Sequence, residues 1–272
     1  MIYVILLLIG LLGGALAGLL GVGGGLIFTP VLIFLFAGTF ENPVPWIIAT
    51  SLLCTFSASL SSIRKHQLMK NLFLKESVMV GLCGLAGTLA GKAIVTSGWY
   101  SETEFIILFS ALLVYTGLRF LRQKPQAEAS PKSDPADVPV LGFHHALLIG
   151  ALGGFVATLA GVGGGIVMVP IMLIILKLPY LKTISISSAA IVFISFFGWA
   201  QFALDAPSEA SLSGFSLGYV DFGTALPLLA GGLIGAQAGV WLSARISRKK
   251  AEVIFALMAL GVAARLIYGL FT

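Results

Sequence analysis

Hydrophobic residues run through this chain in long blocks rather than in stripes on one helix face. Apolar stretches cover residues 3–37, 43–62, 77–96, 105–118, 144–176, 184–204, 219–243 and 253–271. A helix that crosses a bilayer needs about 20 consecutive apolar residues, whereas a soluble helix leaves one face polar. The pattern predicts an all-α membrane protein with eight apolar stretches. Two of these, 3–37 and 144–176, are too long for one crossing, and glycines break each of them. The first break reads Gly21-Val22-Gly23-Gly24-Gly25 and the second Gly161-Val162-Gly163-Gly164-Gly165. Each broken stretch folds back as a hairpin, which gives up to ten crossings or half-crossings.

The two hairpins repeat each other. Residues 149–173 laid over 9–33, an offset of 140, agree at thirteen of twenty-five positions, Pro30 and Pro170 included. The match resumes at Thr50-Ser51 against Ser187-Ser188, and again at Gly84, Gly87, Ala90 and Gly91 against Gly232, Gly235, Ala238 and Gly239. Changes in offset fall where loops insert, most visibly at Leu204 to Leu217. The chain divides into an N-terminal repeat (1–121), a linker (122–143) and a C-terminal repeat (144–272), two copies of one ancestral unit. The linker carries Pro125, Pro131, Pro135 and Pro139 with scattered charges, a composition expected to stay disordered.

Charge fixes the direction of the segments. Of sixteen Lys and Arg, fourteen lie in 64–75, 119–132 and 245–250 or at Lys177 and Lys182, and cytoplasmic loops collect such residues. The segments 38–45, 97–104 and 205–218 hold Glu41, Glu102, Glu104, Asp205 and Glu209 but no Lys or Arg, and are expected outside. Both termini are then periplasmic and the linker cytoplasmic. Each half has five segments, and an odd number inverts the second half relative to the first. The formal net charge of +5 is explained by these loop clusters, so no nucleic-acid partner is expected. A cleavable leader ending near Ala15-Leu16-Ala17 is not expected either, because no basic residue precedes Arg64 and the same pattern recurs in mid-chain. Composition agrees with the block pattern: 58% of residues are hydrophobic, 10% are charged, and the mean hydropathy is +1.04.

The segments after the glycines, Leu26 to Phe36 and Ile166 to Leu176, would make only about 17 Å of helix against a hydrocarbon core of about 30 Å. The turns are therefore expected within the bilayer, where bare backbone must be satisfied by protein, water or ligand. A helix that starts there presents free N–H groups and the positive end of its dipole, a setting for an anion, and glycine lets a ligand approach the backbone. Candidate binding groups are Gly21, Gly23, Gly24, Gly25, Gly161, Gly163, Gly164 and Gly165, with the hydroxyls of Thr50, Ser51, Ser187 and Ser188. Those hydroxyls serve equally well as helix-packing bonds. Ser57, Ser185, Gln201 and Gln237 are weaker candidates. The pairs Gly10/Gly14, Gly87/Gly91 and Gly235/Gly239 read as close helix packing.

Lys92 and Arg265 are the two basic residues inside helices. They are candidate entry charges, or they snorkel to the nearer surface. His66, His144 and His145 sit at membrane edges. Cys54 and Cys83 read as small core residues. No catalytic set, metal ligand cluster or Walker lysine is present in the apolar segments, so neither an enzyme nor a cofactor is expected.

The strings GLLGGALAGLLGVGGGLIFTPVL near the start, IATSL after it and GALGGFVATLAGVGGGIVMVPIM at mid-chain resemble the TauE/SafE sulfite exporter family of bacterial membrane transporters. The resemblance covers nearly the whole chain outside the linker. It implies a secondary transporter of small sulfur-containing anions such as sulfite, sulfoacetate or other organosulfonates across the inner membrane. It also implies that the glycine turns and the four hydroxyls line the site. The second half reads Ile186-Ser187-Ser188 where the first reads Ala49-Thr50-Ser51, so the halves are not expected to act identically. An anion channel and a membrane scaffold or sensor are the rival readings. The expected partners are a small anionic substrate and the lipid bilayer, and a homo-oligomer is compatible with the pattern.

Overall fold

A computed structural model describes residues 2–20, 24–36, 38–68, 73–122, 141–207, 211–243 and 248–271. Gly21 and Gly23 and most of the linker, 123–140, lie outside them. The described chain is helical almost throughout: α1 (Ile2–Leu20), α2 (Gly25–Phe36), α3 (Val44–Leu68), α4 (Leu74–Val95), α5 (Glu102–Arg122), α6 (Phe143–Ala160), α7 (Gly165–Pro170), α8 (Tyr180–Ala203), α9 (Phe222–Ser243) and α10 (Arg248–Gly269). Seven of these helices are long and apolar enough to cross a membrane, and the helical stretches Tyr3–Leu16, Gly25–Phe36 and Gly165–Ile175 are shorter. The protein is an all-α, multi-pass membrane protein.

Both segments after the glycines are short, as their sequence length requires. The second changes pitch at Pro170, where α7 passes into a π turn, Ile171–Ile175, closed by Leu176 N–H bonding to the Ile171 carbonyl at 3.2 Å. Proline lacks the N–H that would continue the α ladder, and widening to the π spacing lets the chain go on past it. A small antiparallel ribbon, β1 (Ser216–Leu217) with β2 (Val220–Asp221), interrupts the otherwise helical chain in the insertion before α9.

α3 and α8 form the centre. Within their apolar windows 78% and 67% of the residues are buried, against 33–44% for α4, α5, α9 and α10. The outer helices turn Leu89, Ile107, Leu226 and Leu257 outward, as a lipid-facing surface requires.

Two helix pairs pack backbone to backbone, and glycine permits it. A Cβ at Gly10 or Gly14 of α1 would overlap the carbonyls of Leu228 or Gly232 on α9, and one at Gly235 would overlap the Leu11 carbonyl. The same contacts recur between α6 and α4: Gly150 meets the Val80 carbonyl, Gly154 that of Gly84, and Gly87 that of Ala151. The spaced glycines thus serve packing, as the sequence predicts. α1 is thus locked to α9, and α6 to α4.

Contacts also give direction. α1, α3 and α9 run one way, since Gly10 and Gly14 meet Leu228 and Gly232 in order and the Asp221 amide meets Thr50 near the start of α3. α4, α6 and α8 run parallel to one another, since the Phe73 amide meets Ser185 near the start of α8. α3 and α8 cross antiparallel, with a Cβ at Gly198 falling 2.7 Å from Leu52 and the rings of Phe56 and Phe196 5.7 Å apart.

Candidate functional site

α6 ends where Gly161 turns left-handed, at φ +68°, with its N–H on the Ala157 carbonyl at 2.8 Å. Gly163 at φ +74° and Gly164 at φ +78° continue the turn, and α7 starts at Gly165. Three residues in the left-handed region within four positions would each cost a side-chain-bearing residue about 1–2 kcal/mol. The start of α7 mirrors the start of α2. The Gly164 carbonyl accepts from Val167 and Met168, and the Gly24 carbonyl accepts from Ile27 and Phe28, at 3.0–3.1 Å throughout.

The two hairpins meet at this turn. A Cβ at Gly25 would stand 2.6 Å from the Val162 Cα and 2.8 Å from both the Gly161 carbonyl oxygen and the Thr55 Oγ1, so the start of α2 lies directly against the second hairpin. One at Gly163 would lie 2.8 Å from the Thr55 methyl, 3.0 Å from Ile191 and 3.5 Å from the Ser195 Oγ. Glycine here keeps open the approach between α2, α3, α8 and the turn.

Hydroxyls surround the contact, and they divide by role. The Gly161 carbonyl accepts from Thr29 Oγ1 at 3.0 Å and from Ser51 Oγ at 2.8 Å, and those two hydroxyls are 2.8 Å apart. Three contacts share two hydroxyl protons, so this triangle satisfies itself and anchors the turn. Thr50 Oγ1 accepts the Asp221 amide at 3.4 Å. Ser187 and Ser188 are buried on α8. By contrast, the hydroxyls of Thr55 and Ser195, both fully buried, have no hydrogen-bond partner among the described residues. A buried polar group left unmet costs about 1–3 kcal/mol, so unmet donors beside a helix start mark a place for a polar ligand.

Neither Thr55 nor Ser195 is among the hydroxyls singled out from the sequence, nor is Thr29. A signal for two of them exists: Thr55 lies four residues after Ser51 and Ser195 seven after Ser188, which puts each on the same helix face as its neighbour. Among the weaker candidates, Ser57 bonds back to the Cys54 carbonyl at 2.8 Å, Ser185 accepts the Phe73 amide at 3.4 Å, and Gln237 is exposed. Gln201 donates to Thr88 Oγ1 at 2.8 Å.

The intrahelical charges lie away from this contact. Lys92 binds the Asp205 carboxylate at 2.6 Å and the Gln201 carbonyl at 2.8 Å, joining the ends of α4 and α8. At the opposite end, where both helices begin, Lys182 pairs with Glu76 at 3.2 Å and sits 5.0 Å over the Phe73 ring. Arg265 is exposed on α10. At the end of β2, immediately before α9, Asp221 is buried with its carboxylate held by the hydroxyls of Ser213 and Thr224 at the helix start, where the dipole favours an anion.

The chain is similar in sequence to several probable membrane transporter proteins. Over 252 residues the chain is 27% identical to a probable membrane transporter protein of Methanocaldococcus jannaschii, covering 92% of this chain and 90% of that one. It is 27% identical to the probable membrane transporter protein YunE of Bacillus subtilis over the full length of both, and 25% identical to a probable membrane transporter protein of Haemophilus influenzae over 94% of this chain and 95% of that one. No solved structure matches. The family model described as sulfite exporter TauE/SafE matches residues 6–266. The chain, matched over nearly its whole length, belongs to the TauE/SafE sulfite exporter family and is a membrane transporter.

Proposed function

We propose that the protein is a secondary transporter of a small sulfur-containing anion, such as sulfite, sulfoacetate or another organosulfonate, in the bacterial inner membrane. The substrate binds where the start of α2 meets the turn Gly161 to Gly164. The observation that carries this reading is the pair of fully buried, unpartnered hydroxyls, Thr55 and Ser195, at that meeting point. The first amides of a helix have no partner in its own ladder, and a bound anion can accept from them as well as from the two hydroxyls. Gly24 and Gly25 in one hairpin and Gly161, Gly163 and Gly164 in the other supply the close approach. Ser51 and Thr29 hold the Gly161 carbonyl and so position the turn. Thr50, Ser187 and Ser188 support the neighbouring helices.

Two inverted repeats account for the geometry. The counterpart helices α3 and α8 cross antiparallel, and the contacts Gly10 to Leu228, Gly14 to Gly232 and Gly235 to Leu11 between α1 and α9 match Gly150 to Val80, Gly154 to Gly84 and Gly87 to Ala151 between α6 and α4. This pairing bears on how the site opens. α1 with α9, and α6 with α4, are fastened through backbone that cannot slide without unpacking. α4 is fastened to α8 by an ion pair at each end, Glu76 to Lys182 and Lys92 to Asp205. The rocking units are therefore α1, α2, α3 and α9 against α4, α6, α7 and α8, each borrowing a fourth helix from the other half. The seam between them is α3 against α8, and the site lies on it. With the linker and the Lys- and Arg-rich loops cytoplasmic and both termini periplasmic, the seam opens alternately to the two sides.

Counterflow in proteoliposomes tests this. Vesicles preloaded with unlabelled sulfite should accumulate labelled sulfite transiently, with saturation and without measurable current at single-channel resolution. Conductance without counterflow would make the same helix start part of an anion channel instead.

A further inference from the structure

We infer that the site takes its substrate as a singly charged oxyanion, a sulfonate or hydrogensulfite head, and discriminates against doubly charged ones of the same size and shape. The inference rests on the binding site proposed above and concerns its charge balance. Of sixteen Lys and Arg, only Lys92 and Arg265 lie inside apolar segments. Lys92 is tied to Asp205 at 2.6 Å at the far end of α4, and Arg265 is exposed on the outer face of α10. Lys182 pairs with Glu76 where α4 and α8 begin. None of Lys92, Lys182 and Arg265 stands at the meeting of Gly25 with Gly161 and Val162.

What the site offers is smaller. A helix start contributes about half an elementary charge. Thr55 and Ser195 add two neutral hydroxyl donors, both fully buried and without a protein partner. On the α3 side a buried acidic group works against anions: Asp221 has its amide on Thr50, the residue next to Ser51. The cost of removing an ion from water grows with the square of its charge, so a dianion costs about four times what a monoanion does. Half a charge and two dipoles can offset the smaller cost and fall short of the larger. By the same reasoning sulfoacetate, whose carboxylate is a second charge, should bind less tightly than a simple alkylsulfonate.

Methanesulfonate and sulfate form a matched pair, both tetrahedral at sulfur and differing by one charge. Competition of each against labelled sulfite uptake by the full chain in proteoliposomes should show methanesulfonate inhibiting at least tenfold more tightly. The uptake rate per total sulfite should rise as pH falls through neutrality, where sulfite gains a proton, while methanesulfonate inhibition stays flat. S195A should weaken methanesulfonate inhibition at least fivefold. Sulfate competing as well as methanesulfonate would overturn the charge inference and leave anion transport standing. Inhibition and uptake absent for every anion would overturn both.

Discussion

At the scale of single residues, the fold and the site make opposite demands on hydroxyls. Thr29 and Ser51 are satisfied on the Gly161 carbonyl, whereas Thr55 and Ser195 are buried without a partner. Valine has nearly the shape of threonine without the hydroxyl. T55V should therefore hold or raise thermal stability, since burying an unmet hydroxyl costs about 1–3 kcal/mol, while weakening anion inhibition about tenfold, roughly 1.4 kcal/mol. Melting temperature and inhibition measured on the same preparation check both halves of that expectation. S51A should do the reverse first: it removes one of two donors from the Gly161 carbonyl and should lower stability by about 1 kcal/mol, with affinity falling as the turn loosens. Lys92 carries a further prediction. Its pair with Asp205 is partly exposed, 22% and 30% by side chain, so K92M and D205N should each cost about 0–1 kcal/mol and the double variant no more than either alone. A rise in the transport KM for K92M that D205N does not share would identify Lys92 as an entry charge instead.

At the scale of elements, glycine decides which helices touch. G14A and G154A each place a methyl against a carbonyl of the partner helix and should lower stability by about 1–3 kcal/mol, read as a fall in melting temperature. G261A is the control. Nothing lies within 4 Å of a Cβ there, and alanine is the better helix former, so it should be neutral or stabilising. These glycines were legible in the sequence because their spacing and their duplication at a fixed offset need no partner to be seen. The short segments after Gly25 and Gly165 were legible for the same reason, since length alone fixes what a helix can span. The inward-facing hydroxyls were harder. Which face of α3 looks onto the site depends on the turn at Gly161, more than a hundred residues later, and Ser51 was visible as a polar residue but not as that carbonyl's donor. The ribbon at Ser216 to Asp221 has no signature in the sequence, because two-residue strands are too short for an alternating pattern.

At the scale of the whole molecule, the repeat visible in the sequence and the units that would move are different partitions of the chain. Locking the pair within one unit and locking the seam between units separate the two partitions. With Cys54 and Cys83 replaced by alanine, a crosslink between K92C and D205C joins α4 to α8 inside one unit and should leave transport intact. One between F56C and F196C bridges α3 to α8 and should abolish transport until it is reduced. Sulfite counterflow by the wild type beside T55V and S195A, purified and reconstituted in matched amounts, tests most directly whether an anion is carried at the contact between the start of α2 and the Gly161 to Gly164 turn. Saturable counterflow in the wild type, with the half-saturating concentration raised about tenfold in each variant and folding unchanged, is the expected result. Counterflow unaltered in both variants, or absent from the wild type, would contradict it.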